Sequence, residues 1–112
     1  MNWKLKAALG AASLIVASQA TAQITFYEHE GFRGRPFSAN RAVPNFIREG
    51  FNDRASSVIV ERGSWEVCDD ANFHGRCVVL RAGNYDSLAR LGLNDRVSSV
   101  RPTNARGDYQ GY

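Results

Sequence analysis

Three short motifs occur twice in this chain, in the same order. Phe32-Arg33-Gly34-Arg35 returns as Phe73-His74-Gly75-Arg76 after 41 residues, and Asn45-Phe46 returns as Asn84-Tyr85 after 39. Asn52-Asp53-Arg54-Ala55-Ser56-Ser57-Val58 returns as Asn94-Asp95-Arg96-Val97-Ser98-Ser99-Val100 after 42. The small drift in spacing is what loop insertions between fixed elements produce. A half of such length cannot bury a core alone, so the two halves are expected to pack face to face, joined near Arg62-Gly63.

Each half reads as β structure. Ile24–Glu28, Arg35–Ser38, Ser57–Glu61, Ser64–Cys68, Cys77–Arg81 and Ser98–Arg101 are short runs rich in Ile, Val, Phe, Tyr and Trp. Gly, Pro, Asn and Asp punctuate them, a rhythm that predicts an all-β sandwich or barrel. Pro44-Asn45 and Arg62-Gly63 are loop signals, and Tyr85–Leu91 is at most a short helical turn.

Residues 1–22 read as a secretory leader, with Lys4 and Lys6, an apolar run over Ala7–Ala17, and small residues at Ala20 and Ala22. The run is too short for a permanent membrane span and has no polar face for an amphipathic helix. Cleavage is expected after Ala22, giving a periplasmic or extracellular domain over 23–102, with motifs at 24–61 and 64–101. A polar tail, 103–112, is expected to be disordered. The net charge of +3 loses two lysines with the leader, leaving arginines interleaved with acids and no phosphate-binding stripe. The residues after the leader make one small domain with a marginal core, the kind that recruits a metal or a disulfide.

The repeated Asn-Asp-Arg-x-Ser-Ser segment supplies hard oxygens in a tight loop: a carboxylate, an amide, hydroxyls and turned-in carbonyls. Taken once it is an ordinary turn. Two copies, each directly before an apolar strand, make a ligand set suited to Ca²⁺, and no EF-hand pattern competes with it. Tyr27-Glu28-His29-Glu30-Gly31-Phe32-Arg33-Gly34 has the spacing aromatic, four residues, aromatic, one residue, glycine. Cys68-Asp69-Asp70-Ala71-Asn72-Phe73-His74-Gly75 keeps Phe and Gly but has Cys for the first aromatic. With these motifs, residues 24–102 resemble the βγ-crystallins, whose calcium-binding members carry [ND]-[ND]-x-x-[ST]-S once per motif. Gly83-Asn84-Tyr85 through Leu91-Gly92-Leu93-Asn94 also resembles bacterial spore-coat members.

The resemblance implies two Greek key motifs packed as a β-sandwich, with two Ca²⁺ held between them. Carried over, one site would use the Ser56 hydroxyl, the Arg54 carbonyl, the Asp95 carboxylate and the Ala71 carbonyl. Its twin would use Ser98, the Arg96 carbonyl, Asp53 and the Glu30 carbonyl. Asn52, Asn94, Ser57 and Ser99 would shape the loops. Gly34 and Gly75 would adopt a left-handed backbone that folds each hairpin back, with Tyr27, Phe32 and Phe73 as the motif aromatics. One carboxylate per site implies dissociation constants of roughly 10⁻⁶ to 10⁻³ M, suited to external calcium.

Cys68 and Cys77 flank the second hairpin, and export favours an intramolecular bridge over two thiols or an interchain link. His29 and His74 differ in repeat position and read as loop histidines. Asp69 and Asp70 would face opposite sides of a strand and read as a solvated turn. Trp65 reads as core, and Arg106-Gly107-Asp108 as a chance match to an integrin-type tripeptide. No triad, nucleophile elbow or redox motif is present, so an enzyme is not expected. The expectation is a monomeric calcium-binding structural or stress-related module, with any protein or envelope partner open. The alternatives are a secreted protease inhibitor using Arg41–Gly50, or an envelope- or carbohydrate-binding module.

Overall fold

Seven strands form in the computed structural model, which describes residues 22–112: β1 (Gln23–His29), β2 (Arg33–Ala39), β3 (Ser57–Arg62), β4 (Ser64–Asp70), β5 (His74–Leu80), β6 (Gly83–Tyr85) and β7 (Ser99–Thr103). The leader expected over residues 1–22 lies, apart from Ala22, outside the described residues. No helix among the described residues is long and apolar enough to cross a membrane. Among the described residues, three single-turn 3-10 helices sit in the connections, at Phe46–Glu49, Ala71–Phe73 and Leu88–Leu91.

All strand pairs are antiparallel and form two sheets, ordered β2-β1-β3-β6 and β5-β4-β7. Strand β6 belongs by sequence to the second half but pairs with β3 of the first, setting Tyr85 opposite Val58. The exchange is reciprocal, because Val43 of the first half pairs with Val100 in β7. The first sheet therefore takes its last strand from the other half, and the second sheet takes a single bridging residue in return, which makes two interlocked Greek keys. The two halves share register: Thr25 faces Ser38 as Glu66 faces Val79, and Ile24 faces Ala39 as Trp65 faces Leu80.

The core lies between the sheets. Ile24, Phe26, Val58 and Val60 from one sheet meet Trp65, Val67, Leu80 and Val100 from the other, all within 2 % of full burial. Each such side chain contributes about 1.5–3 kcal/mol relative to exposure. Loop residues close the ends, with Phe46 and Phe51 on one side and Leu88 and Leu93 on the other, all fully buried. The first half fills its end with edge-to-face and stacked rings, Phe26, Phe37, Phe46 and Phe51, at centroid distances of 5.2–6.5 Å. The matching positions of the second half are aliphatic.

Cys68 and Cys77 are directly opposed on β4 and β5 and form a disulfide, with Cα atoms 4.0 Å apart. The bridge is intramolecular.

Three sequence expectations are corrected. The match of Asn45-Phe46 to Asn84-Tyr85 is not a structural equivalence: Phe46 opens a 3-10 helix, whereas Tyr85 ends β6. The counterpart of Phe46 is Leu88, at the start of the second such helix. The tail is not disordered, since Asp108, Tyr109 and Tyr112 bond to the backbone of Val79, Arg81 and Asn84. Arg41–Gly50 is anchored by the Val43 bridge to β7 and by buried Phe46, with Arg41, Ala42, Pro44 and Ile47–Gly50 exposed. Asp69 and Asp70 do not face apart: a bulge between Cys68 and Asp70 turns both carboxylates toward Gly75, where a Cβ would strike them.

Candidate metal centre

The two Asn-Asp-Arg-x-Ser-Ser loops lie side by side and bond each other through backbone. The Asp53 amide donates to the Val97 carbonyl at 3.1 Å, and the Asp95 amide donates to the Ala55 carbonyl at 3.0 Å. Each bond is the image of the other across a pseudo-twofold axis. Asp53 and Asp95 both hold left-handed backbone, at φ 56° and 53°. Aspartate tolerates that region better than most residues, because its short polar side chain bonds locally. The turn aims each carboxylate at the other half.

The side chains then cross. Ser56 Oγ donates to Asp95 Oδ1 at 3.3 Å, and Ser98 Oγ donates to Asp53 Oδ1 at 3.3 Å. Ser98 Oγ also lies 3.5 Å from the Arg96 carbonyl. Asn94 Nδ2 donates to Asp95 Oδ2 at 3.2 Å, a bond with no counterpart at Asn52 among the described residues. Neither Asp53 nor Asp95 is ion-paired among the described residues. Both serines are buried, so each pair joins an enclosed hydroxyl to a carboxylate that has no ion pair among the described residues.

Backbone bonds fix the serines themselves. The Ser56 amide donates to the Tyr27 carbonyl and the Ser98 amide to its structural twin, the Cys68 carbonyl, at 2.8 and 2.9 Å. Ser57 and Ser99, fully buried, lock the folded hairpins. Ser57 Oγ donates to the His29 carbonyl at 2.6 Å and accepts from the Phe32 amide at 3.0 Å. Ser99 Oγ treats the Asp70 carbonyl and the Phe73 amide in the same way, at 2.6 and 3.0 Å. The hairpins need this brace because consecutive residues, Gly31-Phe32 and Asn72-Phe73, are left-handed, followed by Gly34 at φ 89° and Gly75 at φ 78°. The ring of Phe32 meets Tyr27 edge-on at 6.1 Å, whereas Phe73 lies under the Arg101 guanidinium at 4.5 Å.

An open polar cleft of about 410 Å³ is lined by Glu28, His29, Asp53, Arg54, Ser56 and Asp95. Ser56 and Asp95 thus share their cleft with the first hairpin, not the second. The geometry therefore exchanges the two hairpin carbonyls named from the sequence: Glu30 belongs to the hairpin beside Ser56, and Ala71 to the hairpin beside Ser98. The Glu30 carbonyl accepts from Arg33 Nε at 3.0 Å, and its carboxylate takes the Ser87 hydroxyl at 2.5 Å. The Ala71 carbonyl accepts from the His74 amide.

Sequence reasoning passed over a pair of braces flanking the site. Glu28 Oε1 accepts from the Arg35 amide at 3.3 Å, and Asp69 Oδ1 accepts from the Arg76 amide at 2.8 Å. The same arginines reach the ends of the 3-10 helices, Arg35 Nη2 to the Gly50 carbonyl at 2.9 Å and Arg76 Nη1 to the Leu91 carbonyl at 2.6 Å. The signal was in the repeat: arginine closes both copies of the Phe-x-Gly-Arg motif, and an acid stands six residues before each glycine. The Arg35 backbone N–H, with its guanidinium, holds the Glu28 carboxyl below its ordinary range.

With the geometry in hand, comparison with known proteins gives the class. The family model for beta/gamma crystallin matches residues 23–103. The chain belongs to the βγ-crystallin family. Gamma-crystallin N of Mus musculus is 34 % identical over 93 residues, covering 82 % of this chain and 51 % of that protein. The chain thus spans about half the length of the gamma-crystallins it matches. Among solved structures, a βγ-crystallin from Ciona intestinalis is 35 % identical at a TM-score of 0.70, covering 72 % of this chain and 99 % of that one. An archaeal βγ-crystallin is 32 % identical at the same TM-score, covering 75 % and 100 %.

Proposed function

We propose that this chain is an exported βγ-crystallin module that binds two Ca²⁺ between its halves and serves a structural or stress-related, non-enzymatic role. The supporting observation is the crossed arrangement Ser56–Asp95 and Ser98–Asp53, in which each half offers a hydroxyl to the other half's unpaired carboxylate. The donor set is hard oxygen throughout, which suits calcium and disfavours softer transition metals. One ion would draw on Ser56, Asp95, the Arg54 carbonyl and the first hairpin. The other would draw on Ser98, Asp53, the Arg96 carbonyl and the second hairpin. A bound ion would clamp the halves, adding about 2.7 kcal/mol per site at a hundredfold excess over its dissociation constant.

Calorimetric titration with calcium tests this, comparing the protein with Asp53→Asn and Asp95→Asn. Asparagine keeps the left-handed turn accessible and removes only the charge. Two binding events are expected, each weakened by one substitution. Absence of calcium binding in the unsubstituted protein would end the reading, and one substitution abolishing both events would replace independent sites with cooperative ones.

A further inference from the structure

The pseudo-twofold relation between the halves breaks down at one surface. In the second half, the C-terminal segment Asp108–Tyr112 runs along the free edge of β5 and across β6. Val79 N donates to Asp108 Oδ2 at 2.9 Å, and the Val79 carbonyl accepts from the amides of Asp108 and Tyr109 at 2.7 and 3.1 Å. The Arg81 amide donates to the Tyr109 carbonyl at 3.1 Å, and Tyr109 pairs with Leu80 as a parallel bridge. The Tyr85 hydroxyl donates to that Tyr109 carbonyl at 3.0 Å, and Asn84 and Tyr112 exchange both backbone bonds. The fit is close: a Cβ on Gly111 would strike the backbone of Gly83 and Asn84.

Shared register gives these contact residues counterparts in the first half. Ser38 stands on β2 where Val79 stands on β5, and Ala39 where Leu80 stands. Val43 stands where Tyr85 stands, each paired into the opposite sheet. Strand β2 is an edge strand, as β5 is. An open cleft of about 450 Å³ lies there, lined by Phe37 through Asn45 with Gln23, Arg48 and Glu49. Its half-buried apolar floor is Phe37 and Val43, both packed on the core. Arg48 and Arg41 border it without ion-pair partners among the described residues, whereas Arg90, the counterpart of Arg48, is held by Asp86 at 3.3 Å. Ile47, 65 % exposed, sits on the same 3-10 helix as Arg48.

We propose that this cleft is a docking groove for an extended peptide of another polypeptide, carrying a carboxylate followed by an aromatic. The segment adds to the free edge of β2 as Asp108-Tyr109 adds to β5. Its aromatic covers Phe37 and Val43, and its carboxylate meets the Ser38 amide and the cations at Arg41 and Arg48. Strand addition of this kind draws affinity from backbone bonds and selectivity from alternate side chains. Val43 has no hydroxyl to match that of Tyr85, and no glycine corresponds to Gly83 in register, so the occupant differs from the chain's own tail beyond its first aromatic.

The probe is an acetylated heptapeptide of residues 106–112, titrated into ¹⁵N-labelled protein. Saturable amide shifts at Ser38, Asn40, Ala42 and Val43 are expected, weakened about tenfold or more when the peptide's first tyrosine is alanine or when the protein carries Arg48→Glu, an exposed change that leaves melting unaltered. Absence of saturable shifts there overturns the proposal. So do shifts confined to Val79, Arg81 and Asn84, which mean that the peptide only competes with the tail. Self-association that is lost when residues 104–112 are deleted overturns it in favour of a second copy's tail.

Discussion

Ser56 and Asp95 lie 39 residues apart in different halves, and the serine hydroxyl donates to the aspartate Oδ1 at 3.3 Å. Ser98 and Asp53 repeat the relation at the same distance. Because each pair spans the two halves, Ser56→Ala and Ser98→Ala should each weaken one of two calcium-binding events while leaving the other. Titration calorimetry of the two variants and of their double mutant measures this, with the double mutant expected to bind neither ion.

Ser57 and Ser99 are stability positions of a different kind. Each fully buried hydroxyl satisfies one carbonyl and one amide of a strained hairpin. Replacement by alanine strands both groups and should cost about 1–3 kcal/mol apiece. In a domain of this size each kcal/mol lowers the melting temperature by roughly 4–8 °C. Calorimetric melting in the presence of chelator isolates the effect from calcium.

Gly75→Ala and Gly50→Ala form a contrasting pair. Both positions are left-handed, at φ 78° and 70°, so both should lose about 1–2 kcal/mol from conformation alone. A Cβ at Gly50 meets nothing, whereas one at Gly75 strikes the carboxylates of Asp69 and Asp70. Urea unfolding should therefore rank Gly75→Ala well below Gly50→Ala in stability.

The Cys68–Cys77 bridge closes a ten-residue loop whose ends are already paired in the sheet. The chain-entropy relation gives about 2.7 kcal/mol for such a loop. Unfolding free energies of the oxidised protein and of Cys68→Ala/Cys77→Ala should differ by that order, and the double variant should keep the β4–β5 register seen by amide exchange.

Glu28 supplies a pH dependence. The Arg35 amide, guanidinium and charge favour its ionised form, so its folded carboxyl titrates below the unfolded one. The resulting stabilisation is complete above the ordinary glutamate range, near pH 4.3, and disappears as pH falls through the folded value. Melting of the protein and of Glu28→Gln should differ at neutral pH and converge in acid.

Local pattern carried much of this fold. Six strands were legible because apolar runs and turn residues mark them, and Asp53/Asp95 and Ser56/Ser98 stood out because they repeat. Strand β6 was not legible: Gly83-Asn84-Tyr85 has three residues and no periodicity, and it forms only because Val58 and Val60 of the other half await it. The tail was missed for a similar reason. Its composition is polar, and its order comes from bonds to Val79 and Asn84, more than 25 residues away. The hairpin beside each serine depended on which way the halves turn about their axis, a fact that no single segment encodes.

The exchange of β6 and Val43 between sheets bears on how the molecule comes apart. Neither half can leave without tearing a partner's sheet and uncovering its own, so the two halves are expected to unfold in one transition. A single protease nick in the Arg62-Gly63 joint would leave two pieces that travel together through gel filtration and melt as one.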